Sequence, residues 1–303
     1  MHRISWIAIL ALLIVNGGRP SAAGATLGID DFNSWTQVQD PPHAGLTGNV
    51  DNANQATLLA TGAVPATVDI GYQSVAGSDV ASSSQGNYFS INQDFQVAVD
   101  FDVTAVNSAG LAAIGFGIGE DRDGMNSAGV ALAINSGNPL AFSGGARIND
   151  VTQPLKLFGP TATNSGRFFV RYDSATGDIV YGVNTAKGSA SPTDTGTFSG
   201  LQNDWNDANL LVSFFLRSDS FIFPPLSAGT VEAVFSNFEV LQGTPIAIVP
   251  EPTTATLALL VMFVGTNSIS IWQAAFHTGA SAACHGRGPT ERCFQAESRS
   301  CAT

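Results

Sequence analysis

The chain is 303 residues long and carries 24 Asp/Glu against 12 Lys/Arg, a formal net charge of −12 with its four histidines neutral. That balance argues against nucleic acid as a partner, because such binding rests on Lys and Arg neutralising phosphates. It suits an exported protein and is compatible with cation binding. With 44% hydrophobic residues the chain can bury a core, which excludes disorder as its general state.

Taken in chain order, Met1-His2-Arg3 forms a short positive start and Ile4 to Val15 an apolar run too short to span a bilayer. Ser21-Ala22-Ala23 or Ala23-Gly24-Ala25 then supplies a small-x-small cleavage site. This is the pattern of a secretory signal peptide over residues 1–25, read by the Sec machinery and signal peptidase, in preference to a buried N-terminal helix. Residues 26–248 hold seven Lys/Arg against 21 Asp/Glu and no cysteine, so this acidic cargo folds without disulfides. Its about 220 residues are enough for one large core.

Period-two alternation dominates the cargo. Phe95, Val97, Val99, Phe101 and Val103 fall on one face of a strand, with Gln96, Ala98, Asp100 and Asp102 on the other, expected to be wet. Leu111 to Gly119 reads as a glycine-rich strand with Ala112, Ile114, Phe116 and Ile118 on one side; Val130, Leu132 and Ile134 mark the next. Phe168, Val170 and Tyr172 alternate into the turn residues Asp173 to Asp178, and Ile179, Tyr181 and Val183 return, which predicts a hairpin. Leu210 to Leu216 is apolar but for Ser213, as expected of a strand covered on both faces. A closing strand runs from Val231 to Leu241. No sustained helical period interrupts these segments, so the fold class is all-β, a two-sheet antiparallel sandwich.

The opening Asp30-Asp31-Phe32, the strong strand from Phe95, the stretch Tyr172-Asp173-x-x-Thr176-Gly177-x-x-x-Tyr181 and the closing Phe235-Ser236-Asn237-Phe238-Glu239-Val240 resemble the concanavalin A-like, laminin G-type jelly roll. The resemblance implies that the first and last strands pair. It hosts lectins, glycosidases and adhesion modules alike, so it implies no single function. Jelly-roll glucanases of this kind carry Glu-x-Asp-x-x-Glu, whose carboxylates flank the scissile bond about 5–10 Å apart. The cargo has only Glu120, Glu232 and Glu239, none in that pattern, and Asp100 with Asp102 read as solubilising acids. His43 is the cargo's sole histidine, in a turn, and no Gly-x-Ser-x-Gly elbow is present. The chain is accordingly read as no enzyme, and zinc is unsupported by the spacing of Cys284, Cys293 and Cys301.

Two binding sites remain as candidates. Glu120, Asp121 and Asp123 precede Gly124 in a loop whose oxygens suit calcium, or form an ordinary polar hairpin loop; no other cofactor is expected. Sugar binding needs aromatic platforms beside polar groups. The candidates are Trp35, Tyr72, Tyr88 and above all Trp205, whose neighbours Asn203, Asp204, Asn206 and Asp207 predict partial exposure, with a Trp that caps the sandwich edge as the alternative.

Val249-Pro250-Glu251-Pro252 stands directly before an apolar run reaching about Phe276, with Trp272 suited to an interface. Motif and run resemble the sorting tail of PEP-CTERM proteins, the exosortase substrates; a stiff linker is the bland alternative. The resemblance implies a sorting motif and transmembrane segment over 249–276, with the span itself from Thr253 to about Trp272, transient anchoring in the inner membrane, removal of the tail by an exosortase, and release to the cell surface or medium. The basic cluster that family carries after its helix is displaced here to Arg287, Arg292 and Arg299. Residues 277–303, which hold all three cysteines, are expected to belong to no folded domain, whether as a disordered or an artefactual tail. The function expected is a structural or adhesion component of an exopolysaccharide matrix, with a lectin-like carbohydrate-binding module as the alternative and a glycoside hydrolase behind both.

Overall fold

The structure, a computed structural model, describes residues 27–248 apart from 121–125, 150, 160, 202–203, 206 and 221–222. The signal peptide, the motif Val249, Pro250, Glu251 and Pro252 with its apolar run, and the tail 277–303 lie outside the described residues, as do Asp121, Asp123, Asn203 and Asn206. Among the described residues no helix is long and apolar enough to cross a membrane.

After one 3₁₀ turn, Phe32–Ser34, the described chain is strands. They are β1 (Thr36–Asp40), β2 (Leu46–Asn52), β3 (Gln55–Thr61), β4 (Asp69–Gln73), β5 (Gly86–Ser90), β6 (Phe95–Ala109), β7 (Leu111–Gly119), β8 (Ser127–Asn135), β9 (Asn138–Ile148), β10 (Val151–Thr152), β11 (Lys156–Phe158), β12 (Ser165–Asp173), β13 (Asp178–Asn184), β14 (Asp194–Phe198), β15 (Asn209–Asp219), β16 (Ala228–Gln242) and β17 (Ile246–Ile248). They pair antiparallel into two sheets. The larger runs β1-β4-β15-β7-β8-β9-β10, with β11 on β9 and with β5 and β17 attached through β15. The smaller runs β14-β13-β12-β6-β16-β3-β2. The protein is an all-β, two-sheet antiparallel sandwich.

Alternation places the core between the sheets. Phe95, Val97, Val99 and Phe101 of β6 are fully buried, and Phe101 stacks on Phe168 of β12 at 4.2 Å between centroids. From the larger sheet Ile114, Phe116, Leu132, Val212 and Phe214 meet them, with Phe214 stacked on Phe235 of β16 at 4.4 Å. Each such side chain stabilises by about 1.5–3 kcal/mol through burial. The predicted hairpin forms in the expected register, Phe168 opposite Val183, Val170 opposite Tyr181 and Tyr172 opposite Ile179.

Three expectations are corrected. First and last strands do not pair: β1 lies beside β4 at a sheet edge, while the long closing strand β16 sits between β6 and β3. β15 is covered on both faces only at its start, where Leu211 packs with Val75 and Val80 beneath the β4–β5 connection; Ser213 and Phe215 are half-exposed. The outer face of β6 is not wet throughout. The β13–β14 connection folds back over it, so Asp100 is fully buried. Gly188 N–H donates to Asp100 Oδ1 at 3.0 Å and Asn237 Nδ2 to Oδ2 at 2.9 Å. Arg167, 1% exposed, lies 3.7 Å from Asp100 through Nε and donates from Nη2 to Glu239 at 2.6 Å. Asp102, half-exposed, pairs with Lys187. Alternation gives the direction of a side chain but not whether a distant loop returns to cover it.

Candidate functional site

Strand register builds a grid on the outer face of the larger sheet. One row reads Leu211, Gly119, Ser127, Arg147 across β15, β7, β8 and β9; the next reads Ser213, Gly117, Gly129, Gly145. Then follow Phe215, Gly115, Ala131, Ser143, and finally Arg217, Ala113, Ala133, Ala141. On β7 and β8 every outward position in these rows is Gly, Ala or Ser. The neighbouring backbone explains several of them. A Cβ on Gly129 would collide with the Phe116 carbonyl, and one on Gly117 would stand 2.9 Å from the Ala128 carbonyl.

The result is an open groove of about 310 Å³ with that small-residue floor. Leu155, 45% exposed, and Gln153 border it on the β10–β11 side; Ser213, Phe215, Arg217 and Asp69 border it on the other. Arg147 stands at one corner. Phe215 lies over Gly115, where a Cβ would meet its ring, and the Arg217 guanidinium sits 5.4 Å from the ring centroid while donating to Asp219 at 2.8 Å. The floor is flat and apolar, and the rim supplies amide, hydroxyl, guanidinium and carboxylate groups. That combination suits a flat ligand rich in hydroxyls. Among the described lining residues Asp69 is the single carboxylate.

The residues singled out in the sequence stand elsewhere. Trp35 is 6% exposed, donates Nε1–H to the Ile29 carbonyl at 2.8 Å and packs edge-on against Phe32 and Phe238. Tyr72 is buried against Phe214 with its hydroxyl on Gln37. Both are core residues, because a ring covered on its faces offers no platform. Trp205, expected to be partly exposed, is buried at 9% and plugs one end of the sandwich 6.4 Å from Tyr172. Its polar neighbours hold a loop down instead of lining a site: Asp204 C=O accepts from Asn126 and Asp207 N–H donates to Glu120 Oε1, both within 2.8 Å. Tyr88 is half-buried on the cluster of Val75, Val80 and Leu211.

Glu120 is 4% exposed, and its second oxygen accepts from Asn126 Nδ2 at 2.8 Å. It bridges the end of β7 and the 204–207 loop, while Asp121 and Asp123, its partners in the calcium reading, lie outside the described residues. Among the described residues no cluster of three or more His, Cys, Asp or Glu is placed to hold a metal. His43 Nδ1 accepts from Gly45 N–H at 3.1 Å and closes a turn.

Burial raises the phenol pKa of Tyr172; the indole N–H of Trp205 leans toward that hydroxyl and opposes the shift, though neither atom reaches a partner in good hydrogen-bond geometry. Burial likewise raises Tyr181, and it raises Tyr72 with help from the Asp51 charge.

The groove was missed because its signal is an absence of side chains. Gly115, Gly117, Gly119, Gly129 and Ala131 at alternating positions carry it, and the strand from Leu111 was noted only as glycine-rich. No family model matches the sequence, and no curated protein matches it. Solved structures do align. A mixed linkage glucan PUL GH16 from Bacteroides ovatus, in complex with a G4G4G3G product, is 12% identical, with 70% of this chain and 98% of that one covered and a TM-score of 0.41. A Bacillus licheniformis β-glucanase is 10% identical over 69% of this chain and 92% of its own, TM-score 0.39. Peanut lectin is 14% identical over 68% and 92%, TM-score 0.33.

Proposed function

We propose that this chain is an exported, non-catalytic β-sandwich protein of an extracellular polysaccharide matrix that associates with glycan through the small-residue groove. The observation that carries this reading is the grid of Gly, Ala and Ser positions on β7 and β8, bordered by Phe215, Arg217, Arg147, Gln153 and Leu155. Sugar rings have flat apolar faces and equatorial hydroxyls, which match a smooth floor with a hydrogen-bonding rim. Hydrolysis needs two carboxylates across the bond, and Glu120, Glu232 and Glu239 do not stand in the glucanase spacing, which supports a binding role. The two-layer architecture supports the concanavalin A-like reading of the sequence. The signal peptide and the Val249-Pro250-Glu251-Pro252 tail supply the route: Sec export, transient anchoring in the inner membrane, exosortase processing, and a final place at the cell surface or outside it.

The test uses the full chain and polysaccharide shed by the producing cell. A Cβ at Gly145 meets nothing nearer than Leu155 at 3.5 Å, so Gly145→Leu fills the groove without straining the sheet. Co-sedimentation with the polysaccharide should fall at least about fivefold in Gly145→Leu and in Arg217→Ala. Unchanged co-sedimentation with both variants folded removes the groove from the account.

A further inference from the structure

The described chain ends beside the place where it begins, and one residue holds both ends. Asn87 of β5, 4% exposed, donates from Nδ2 to the Leu27 carbonyl at 3.2 Å, while its backbone lies opposite Ala247 of β17. The path between β16 and β17 is also pinned. Gln93 Nε2 donates to the Thr244 carbonyl at 2.8 Å, and Thr244 N–H returns to Gln93 Oε1 at 3.4 Å. Gly243 turns the chain at φ +87°, where a Cβ would crowd Phe95. Beyond that bend the hold becomes thin. β17 pairs over three residues with β5, Ile246 is 40% exposed, Ala247 is exposed, and Ile248 alone reaches the small cluster of Val75, Val80 and Leu211. A terminal strand with so little buried apolar surface opens locally without unfolding the sandwich.

We infer that β17 is a releasable latch: paired with β5 it withholds residues 244–248 from proteolysis, and its detachment frees them as an extended, cleavable segment. The inference rests on the sorting reading for its biological use, because the Val249-Pro250-Glu251-Pro252 motif follows the last paired residue, Ile248, without a spacer. A protease binds its substrate extended over several residues, and here several of the residues before the motif belong to the sheet. When opening is fast relative to cutting, the rate of cutting follows the open population.

The experiment compares three forms of the full-length protein in detergent: wild type, Ile248→Ser, and a cross-linked pair Tyr88→Cys with Ile246→Cys. The pair is made in a background carrying Cys284→Ser, Cys293→Ser and Cys301→Ser. Tyr88 and Ile246 are register partners, and directly opposed strand positions lie within disulfide reach. With dilute proteinase K, cutting between 243 and 248, read by intact mass, should be about tenfold faster in Ile248→Ser. It should be about tenfold slower in the oxidised pair and restored by reductant. Equal rates in all three overturn the latch. In the producing cell, removal of the tail should follow the same order. Removal at equal rates in all three forms also overturns the latch. Removal in none of them overturns the sorting reading alone, and the protease rates then still support the opening of β17.

Discussion

Phe215 and Gly115 face each other across the β15–β7 pair, and the phenyl ring lies where a side chain on residue 115 would stand. The missing Cβ is therefore what lets an aromatic ring lie down on the sheet and form one wall of the groove. Gly115→Val should lift the ring, destabilise the fold by about 1–3 kcal/mol as an overpacked site does, and weaken glycan association. Thermal melts and co-sedimentation of the same variant check both halves. A variant with native melting and native binding would show that the ring's position is incidental.

The buried Asp100–Arg167 pair makes a second prediction. Asp100 is fully buried and Arg167 nearly so, which leaves no water to take over for a lost partner. Arg167→Met should destabilise by about 3–5 kcal/mol, because removing one member strands the other charge in the interior. The double change Arg167→Met with Asp100→Asn, which removes the charge but keeps an oxygen for Gly188 N–H, should recover part of that loss. Denaturant titrations of both variants measure the difference, and a single variant no worse than the double would contradict the pairing.

How much of this was legible before the fold was known follows the same logic. The strand from Phe95 and the hairpin from Phe168 were readable, because a large apolar residue at every second position admits few alternatives. The role of Asp100 was not, since nothing near it announces that the Lys187–Gly188 turn returns from far along the chain to cover it. Trp205 misled because polar neighbours usually mean exposure; here Asn126 and Glu120 consume the backbone of its loop and leave the indole pointing inward. The groove was hidden for the opposite reason. A floor made of Gly and Ala resembles weak strand sequence until register aligns four strands of it.

Buried phenols set the alkaline limb of stability. With its folded pKa raised, Tyr172 keeps its proton at a pH where the unfolded chain has released it. Its stabilisation is complete below the ordinary value of 10.0 and is lost as pH rises through the raised folded value. Tyr181 and Tyr72 add in the same direction. Among the described residues the hydroxyl of Tyr172 reaches no partner in good hydrogen-bond geometry, so Tyr172→Phe should cost less than about 0.5 kcal/mol at neutral pH. It should also soften the fall in melting temperature above pH 10. An alkaline limb identical to wild type would remove Tyr172 from this explanation.

Thr67 sits at φ +65°, a left-handed conformation that costs a β-branched residue, immediately before Val68 and the groove residue Asp69. Thr67→Gly should therefore raise stability by about 0.5–1 kcal/mol, a gain of roughly 1–4 °C in melting temperature for a domain of this size. A drop in melting temperature would mean that the threonine hydroxyl, which donates to the Ala66 carbonyl at 2.6 Å, outweighs the backbone strain.

The central claim is that glycan lies on the outer face of the larger sheet. Hydrogen exchange of the full-length protein, with and without oligosaccharides cut from the producing cell's own polysaccharide, tests it most directly. The account predicts slower exchange confined to amides along β7, β8, β9 and β15 that border Gly117, Gly129, Gly145 and Phe215, abolished by Gly145→Leu. Protection centred on the Trp205 loop, or binding with no protection on those strands, would contradict it.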